Sequence, residues 1–291
     1  MSATRLSSSV EPRLFPYERW EAQLAELSET YRHNDPYPHI HLADLLDDDV
    51  VEGLLDEFPR SGDASWIQYK HYNENKLGLS KREQFPPLIG RVIDEFQSPE
   101  FVAWLSELTG IPGLMSDPHL EGGGMHQTER GGFLNIHADF TMHHHVPNWR
   151  RRVNLILYLN RHWDEAWGGA IELWDRQMRG CGARIVPLAN HAVIFSTTED
   201  SFHGYPEPID CPEDVSRKSL ALYYYTLEDG PRVRARSTNY RPRPGDGLRG
   251  VLIRLDAWMV DIYSRVKQRF GLSDDFASRM LGLLSRKKRG R

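Results

Sequence analysis

Gly131-Gly132-Phe133-Leu134-Asn135-Ile136-His137-Ala138-Asp139 is the stretch on which the reading of this chain turns. A glycine turn opening an apolar run predicts a buried strand. Residues i and i+2 of a strand project to one face, so His137 and Asp139 can take neighbouring positions on one metal ion. His203 lies 64 residues beyond Asp139 (203 − 139), in Ser201-Phe202-His203-Gly204-Tyr205, just after the strand-like run Ala192-Val193-Ile194-Phe195.

Two imidazoles and one carboxylate make a facial triad that leaves coordination positions open, the donor set of non-haem Fe(II) oxygenases. Arg217 opens the β-prone run Leu220-Ala221-Leu222-Tyr223-Tyr224-Tyr225-Thr226. Its planar guanidinium supplies what a bare triad lacks, a fixed cation for a dicarboxylate. The set predicts a site for Fe(II), 2-oxoglutarate and O2. Oxidative decarboxylation to succinate and CO2 would there drive hydroxylation, with the protein orienting and shielding. Asp139 disfavours a halogenase, which would leave that position to chloride.

Arg152-Val153-Asn154-Leu155-Ile156-Leu157-Tyr158-Leu159-Asn160, then Trp163, Gly168-Gly169 and the Arg217 strand, resemble the prolyl-hydroxylase branch of the Fe(II)/2-oxoglutarate oxygenases. The resemblance covers about residues 117–227. Pro36-Tyr37-Pro38-His39-Ile40, leading into Leu45-Leu46 and a helix, is similar to bacterial members of that branch. The resemblance implies a double-stranded β-helix, or jelly roll, with iron at its open mouth. It implies His137, Asp139 and His203 as iron ligands and Arg217 as partner of the distal 2-oxoglutarate carboxylate. Tyr158 would hydrogen-bond the same carboxylate, and Ser219 would complete an Arg-x-Ser pair. Gln127 stands near the place where these hydroxylases carry a tyrosine, and is expected to bond the co-substrate in its stead. Ascorbate is the reductant such enzymes admit.

The expected fold class is α+β with a mainly β core: a jelly roll with N-terminal supporting helices and a C-terminal helical extension. Residues 1–115 read as mainly helical, 116–240 as the double-stranded β-helix, and 241–291 as helix ending in a basic tail. Helical spacing runs from Trp20 to Leu27. A second helix is expected from about Asp48 to Phe58, its aspartates suited to a positive helix N-terminus. Pro86 to Gln97 and Pro99 to Thr109 each open on proline, which a first helical turn tolerates. Val251, Leu255, Trp258, Ile262, Val266 and Phe270 recur at helical spacing before Arg286-Lys287-Lys288-Arg289-Gly290-Arg291. Such a helix packs on the barrel, on a second subunit or on an anionic membrane surface. Residues after about 245 supply no ligand in this reading.

Composition bounds the remainder. A β-barrel fold can take up 291 residues as one domain. A net charge of −5 gives no global basic field, so no nucleic-acid partner is expected. No apolar run approaches the roughly 18–20 residues of a membrane span. Met1 to Ser7 lacks the apolar stretch of a signal peptide. Cys181 and Cys211 make no disulfide framework. A cytoplasmic enzyme is therefore expected. Its substrate is left as a prolyl residue of a protein or peptide, or a small molecule, lipid or sugar. A non-catalytic jelly-roll binding module is the remaining class; the complete triad with Arg217 argues against it. His143-His144-His145 is expected to be a solvated loop or a lid beside the metal, and Gly122-Gly123-Gly124 a tight turn. Trp66, Tyr69 and Tyr72 either pack or cover the site mouth. His126 either faces the site or packs.

Overall fold

Alternation along two long strands sorts the molecule into an outer and an inner face. The computed structural model describes residues 12–229, 238–256 and 258. The described strands are β1 (His39–Leu42), β2 (Ile67–His71), β3 (Glu74–Leu79), β4 (Met115–Ser116), β5 (Gly124–Thr128), β6 (Phe133–Ala138) and β7 (Trp149–Tyr158). They continue as β8 (Ile171–Trp174), β9 (Cys181–Ile185), β10 (Ala192–Ser196), β11 (Phe202–Tyr205), β12 (Arg217–Leu227) and β13 (Asn239–Tyr240). All pairings are antiparallel, in the order β1-β10-β7-β12-β5-β3-β6-β11-β8-β9, with β13 on β6, β2 on β3 and β4 on β12. The sheet nearly closes into a jelly-roll-like barrel.

On β7 and β12 the outward side chains Val153, Leu155, Leu157, Leu220, Leu222 and Tyr224 are buried in one core with the N-terminal helices. The residues between them, Asn154, Ile156, Ser219, Ala221 and Tyr223, line a cavity inside the barrel. The period-2 pattern thus gives each strand one apolar face and one working face.

The helices are α1 (Tyr17–Glu21), α2 (Leu24–His33), α3 (Asp48–Glu57), α4 (Pro87–Gln97) and α5 (Pro99–Thr109). Ile89, Val92, Ile93 and Phe96 of α4 fall three and four residues apart and are wholly buried. Each such side chain contributes about 1.5–3 kcal/mol. Ser98 caps α5 by accepting from Phe101 N at 3.2 Å, and Gly110 ends it at φ 68°. The helix expected from Trp20 to Leu27 is broken at Ala22–Gln23, where N–H groups turn onto Glu18 O and Trp20 O. Trp20 is held there by its indole N–H on Leu45 O at 2.9 Å.

Residues 1–115 hold α1 to α5 and also supply strands that the local pattern did not announce. β1, β2 and β3 come from that stretch, and β3 is inserted between β5 and β6. Non-local pairing overrode a local reading here: β2 is short and mostly exposed, with only Ile67 and Tyr69 in alternation to mark it.

The C-terminal part is also bound into the barrel. Tyr240 of β13 pairs with His137, and Arg241 N donates to Ile136 O at 2.8 Å. A helix α6 over 247–256 follows, with Ile253 1% exposed. Arg249 donates to Asn135 Oδ1 and to Pro206 O, both at 2.8 Å, and Asp256 accepts from Asn73. Residues after 245 supply no metal ligand among the described residues, but they brace β6, which carries His137. Leu248, Val251, Leu252, Leu255 and Trp258 remain exposed. Ile262, Val266, Phe270 and the basic tail lie outside the described residues.

Arg249→Ala leaves the buried Asn135 Oδ1 without its donor. The expected loss is about 1–3 kcal/mol, the usual cost of an orphaned buried polar atom. Urea unfolding would measure it; unchanged stability would mean that α6 does not brace β6.

Candidate metal and co-substrate site

β6 and β11 are adjacent, and His137 and His203 are direct register partners with ring centroids 4.5 Å apart. The sequence separation of 66 residues between the two histidines therefore disappears in one cross-strand pair. Asp139 follows the last residue of β6. One ligand atom from each of His137, Asp139 and His203 lies within 4.8 Å of the other two. Among the described residues no other group of three or more His, Cys, Asp or Glu side chains meets that condition.

The orientation of both imidazoles is fixed from behind. His137 Nδ1 lies 2.9 Å from Asn135 O, and His203 Nδ1 lies 3.0 Å from Ser201 O. Each Nδ1 therefore donates to a carbonyl, which leaves Nε2 as the lone-pair nitrogen. The Nε2 atoms face Asp139, at 3.4 Å from Oδ1 for His137 and 3.5 Å from Oδ2 for His203. Two neutral nitrogens and one carboxylate oxygen suit a divalent first-row metal such as Fe(II).

Burial alone would raise the Asp139 pKa. The Arg151 guanidinium and the two imidazoles outweigh it and hold the carboxyl well below its ordinary range. Burial pushes His203 down to about 4 and His126 down to about 3. Both folded values lie below the ordinary 6.5, so on acidification the unfolded chain takes up protons first. Metal-free protein should lose stability as pH falls from about 6.5 towards 4, by up to about 1.4 kcal/mol per pH unit for each histidine. Above pH 6.5 these groups add no slope. Urea unfolding of metal-free protein at pH 7 and pH 5.5 measures this; equal stability at both would contradict the buried neutral histidines.

Arg217 opens β12 and is 4% exposed. Its Nε donates to Gly169 O at 2.7 Å and its Nη2 to the Tyr158 hydroxyl at 3.1 Å. The guanidinium also lies over the rings of Tyr205, at 4.2 Å, and Tyr158, at 4.8 Å. Among the described residues it forms no ion pair with a carboxylate. A buried guanidinium with only neutral partners calls for an anion. Tyr158 accepts from Arg217, so its own O–H is left to donate to that anion. Ser219, the register partner of Tyr158, lines the same cavity as the triad and Arg217.

Gln127 does not face this cavity, which corrects the expectation that it bonds the co-substrate. Its neighbour His126 lines the cavity, and successive residues of β5 point to opposite faces. Gln127 Nε2 instead donates to Ser216 Oγ at 2.6 Å. Nearness to the hydroxylases' tyrosine position does not fix strand phase, and phase decides the face.

Four contributors were not legible in the sequence. Lys76 and Glu74, on β3, form an ion pair at 3.1 Å on the metal side of the barrel. Tyr240, on β13, stacks against His137 with ring centroids 5.4 Å apart. Arg151, 1% exposed, places Nη2 2.9 Å from Asp139 Oδ2. Lys76 and Tyr240 arrive through strands that sequence pattern did not reveal, and Arg151 sits in a locally irregular strand.

The histidine run is neither solvated throughout nor a metal group. His143 is buried, with Nδ1 accepting from Val146 N at 2.9 Å, and His144 pairs with Glu121. Gly122 and Gly124 have φ of 71° and 93°, and a Cβ on Gly124 would collide with Leu79 O, so the glycine run is a tight turn. Gly122 O accepts from the Tyr223 hydroxyl at 2.8 Å. Trp66 stacks on Phe58, Tyr69 lines the cavity mouth, and Tyr72 is exposed.

Comparison with known proteins agrees with this geometry. Residues 123–225 match the family described as the 2OG-Fe(II) oxygenase superfamily. The chain is 26% identical over 219 residues to the Mus musculus protein named Prolyl 3-hydroxylase OGFOD1. That match takes in 72% of this chain and 35% of the relative, so the chain spans about a third of the curated protein. A prolyl hydroxylase from Trichoplax adhaerens, solved with a hypoxia inducible factor peptide fragment, superposes with a TM-score of 0.52 at 15% identity, covering 72% of this chain and 91% of that one. A Pseudomonas putida prolyl-4-hydroxylase gives 0.47 at 17% identity, covering 70% and 100%. At 15% identity the Trichoplax structure supports the fold alone.

Proposed function

We propose that this chain, whose residues 123–225 match the 2OG-Fe(II) oxygenase superfamily, is an Fe(II)- and 2-oxoglutarate-dependent hydroxylase acting on a prolyl residue of a protein or peptide. The observation that carries the reading is one cavity holding the His137, Asp139 and His203 donor set together with a buried guanidinium lacking an anionic partner. The relative's name, a prolyl 3-hydroxylase, supports the choice of substrate.

His137 Nε2, His203 Nε2 and an Asp139 oxygen would hold the metal. Arg217 and the Tyr158 hydroxyl would hold the distal carboxylate of 2-oxoglutarate, with Ser219 beside them. Bound iron and co-substrate supply the oxidising chemistry, with succinate and CO2 as products. The protein's part is placement. Leu134, Ile156, Ile171 and Ala221 exclude water around the co-substrate. Tyr69, Tyr223, Tyr240 and the Glu74–Lys76 pair wall the side from which a substrate would enter.

No helix among the described residues is long and apolar enough to cross a membrane. Cys181 and Cys211 are free thiols, in keeping with the reducing cytoplasm we assign as part of this proposal.

The test is incubation of purified protein with Fe(II), 2-oxoglutarate and either proline-containing peptides or small metabolites, reading succinate and oxygen gain by mass spectrometry. Succinate and oxygenated prolyl residues are expected, both absent with Asp139→Ala. Oxygen gain on a metabolite alone would move the substrate class. Metal and 2-oxoglutarate binding with no turnover on any of them would favour a binding module.

A further inference from the structure

The pairing of β7 with β12 contains one irregularity. Tyr223 faces Asn154 and Tyr224 faces Val153, but Tyr225 faces Arg151. Arg152 is left over, a β-bulge. A bulge adds one residue to one strand and re-aims the side chains beyond it. Counting back by twos from Tyr158 and Ile156, the inward positions would be Asn154 and then Arg152. The bulge replaces Arg152 with Arg151 at that point. Arg152 is half-buried, whereas Arg151 is 1% exposed beneath the metal site.

Once inside, Arg151 is held on several sides. Its guanidinium lies 3.3 Å from the Tyr223 ring centroid. Its Nε donates to Asn154 Oδ1 at 2.8 Å, and Thr197 Oγ1 donates to the same oxygen at 3.1 Å. Two donors on Oδ1 fix the Asn154 amide, so Nδ2 points the other way and donates to Asp139 Oδ2 at 2.7 Å. Arg151 Nη2 meets that same Oδ2 at 2.9 Å. Oδ2 of Asp139 thus takes a hydrogen bond from Asn154 and an ion pair with Arg151 behind it, besides lying 3.5 Å from His203 Nε2, whereas Oδ1 takes neither.

Resting on the metal-site reading above, we propose that Arg151 and Asn154 are positioning residues that reserve Asp139 Oδ2, so that Asp139 offers the metal a single oxygen. A carboxylate with both oxygens free can chelate and fill an additional coordination position. 2-Oxoglutarate needs two of those positions and O2 a third. The bulge therefore protects the vacancy count on which co-substrate binding depends, rather than metal affinity itself.

The experiment uses full-length protein with Arg151→Met, Arg151→Lys and Asn154→Ala, and with His203→Ala as the control for the triad. Anaerobic Fe(II) affinity, 2-oxoglutarate affinity of the Fe(II)-loaded protein and the keto-acid-to-iron absorption band are measured. Arg151→Met should keep Fe(II) affinity within about tenfold, yet bind 2-oxoglutarate at least about tenfold more weakly and lose most of the band. Arg151→Lys restores the charge and should recover part of both. Asn154→Ala leaves the ion pair in place and should shift both readouts the same way by less, which keeps the test open if Arg151→Met does not fold. Wild-type 2-oxoglutarate affinity and absorption in folded Arg151→Met, or in Asn154→Ala if that is the only folded variant, would overturn the proposal. So would a loss of Fe(II) affinity as large as that of His203→Ala. If His203→Ala itself bound Fe(II) normally, the triad reading would fail instead.

Discussion

Arg217→Ala should weaken 2-oxoglutarate binding roughly thirtyfold or more while leaving metal affinity within a few fold. Truncating one side of a buried, hydrogen-bonded charge pair costs about 2–5 kcal/mol, and each 1.4 kcal/mol is tenfold. The metal is spared because Arg217 bonds Gly169 and Tyr158 and no member of the triad. Tyr158→Phe should act in the same direction by less, about 0.5–1.5 kcal/mol for one neutral hydrogen bond. Titration of 2-oxoglutarate into metal-loaded protein separates the cases. Equal affinity in wild type and Arg217→Ala would move the anchor elsewhere. Lys76, which lines the same cavity, would then be the first residue to change.

The larger effect is expected at the metal. Alanine at His137, Asp139 or His203 should each abolish measurable turnover. Each should weaken metal binding well beyond the about tenfold expected at most of the outer partner Arg151. Asp139→Glu should fail too. Its extra methylene carries the carboxylate away from Arg151 and Asn154, and small misplacements at a reacting centre are expensive. Metal titration followed by calorimetry, with succinate formation alongside, is the measurement. Full iron binding and turnover in His203→Ala would show the triad to be wrongly drawn.

Much of the site's chemistry was legible because it rests on residue type and short spacing. His137 and Asp139 are two apart on a strand opened by a glycine turn, and that geometry is local. Arg217 was legible from its guanidinium at the head of a β-prone run, Tyr158 and Ser219 came through resemblance, and the three lie together on β7 and β12. Gln127 was misplaced because a one-residue shift in a strand flips the side chain to the other face. Lys76 and Glu74 were missed because the turn-side ends of β2 and β3, Lys70-His71 and Glu74-Asn75-Lys76, are polar and carry no apolar alternation to mark a hairpin.

Residue type and local spacing were enough for the ligand types, the helices α3, α4 and α5, and the strong strands β7, β10 and β12. Spacing, caps and apolar period are properties of neighbouring residues. Tertiary structure decided the pairing of His203 with His137, the insertion of β3 between β5 and β6, and the bracing of β6 by α6. It also decided the bulge at Arg152, which turns Arg151 rather than its neighbour towards Asp139. Register and bulges depend on which distant strand lies alongside. Hydrogen bonds between strands and the packing of both faces fix that choice together, and no local stretch of the chain contains it.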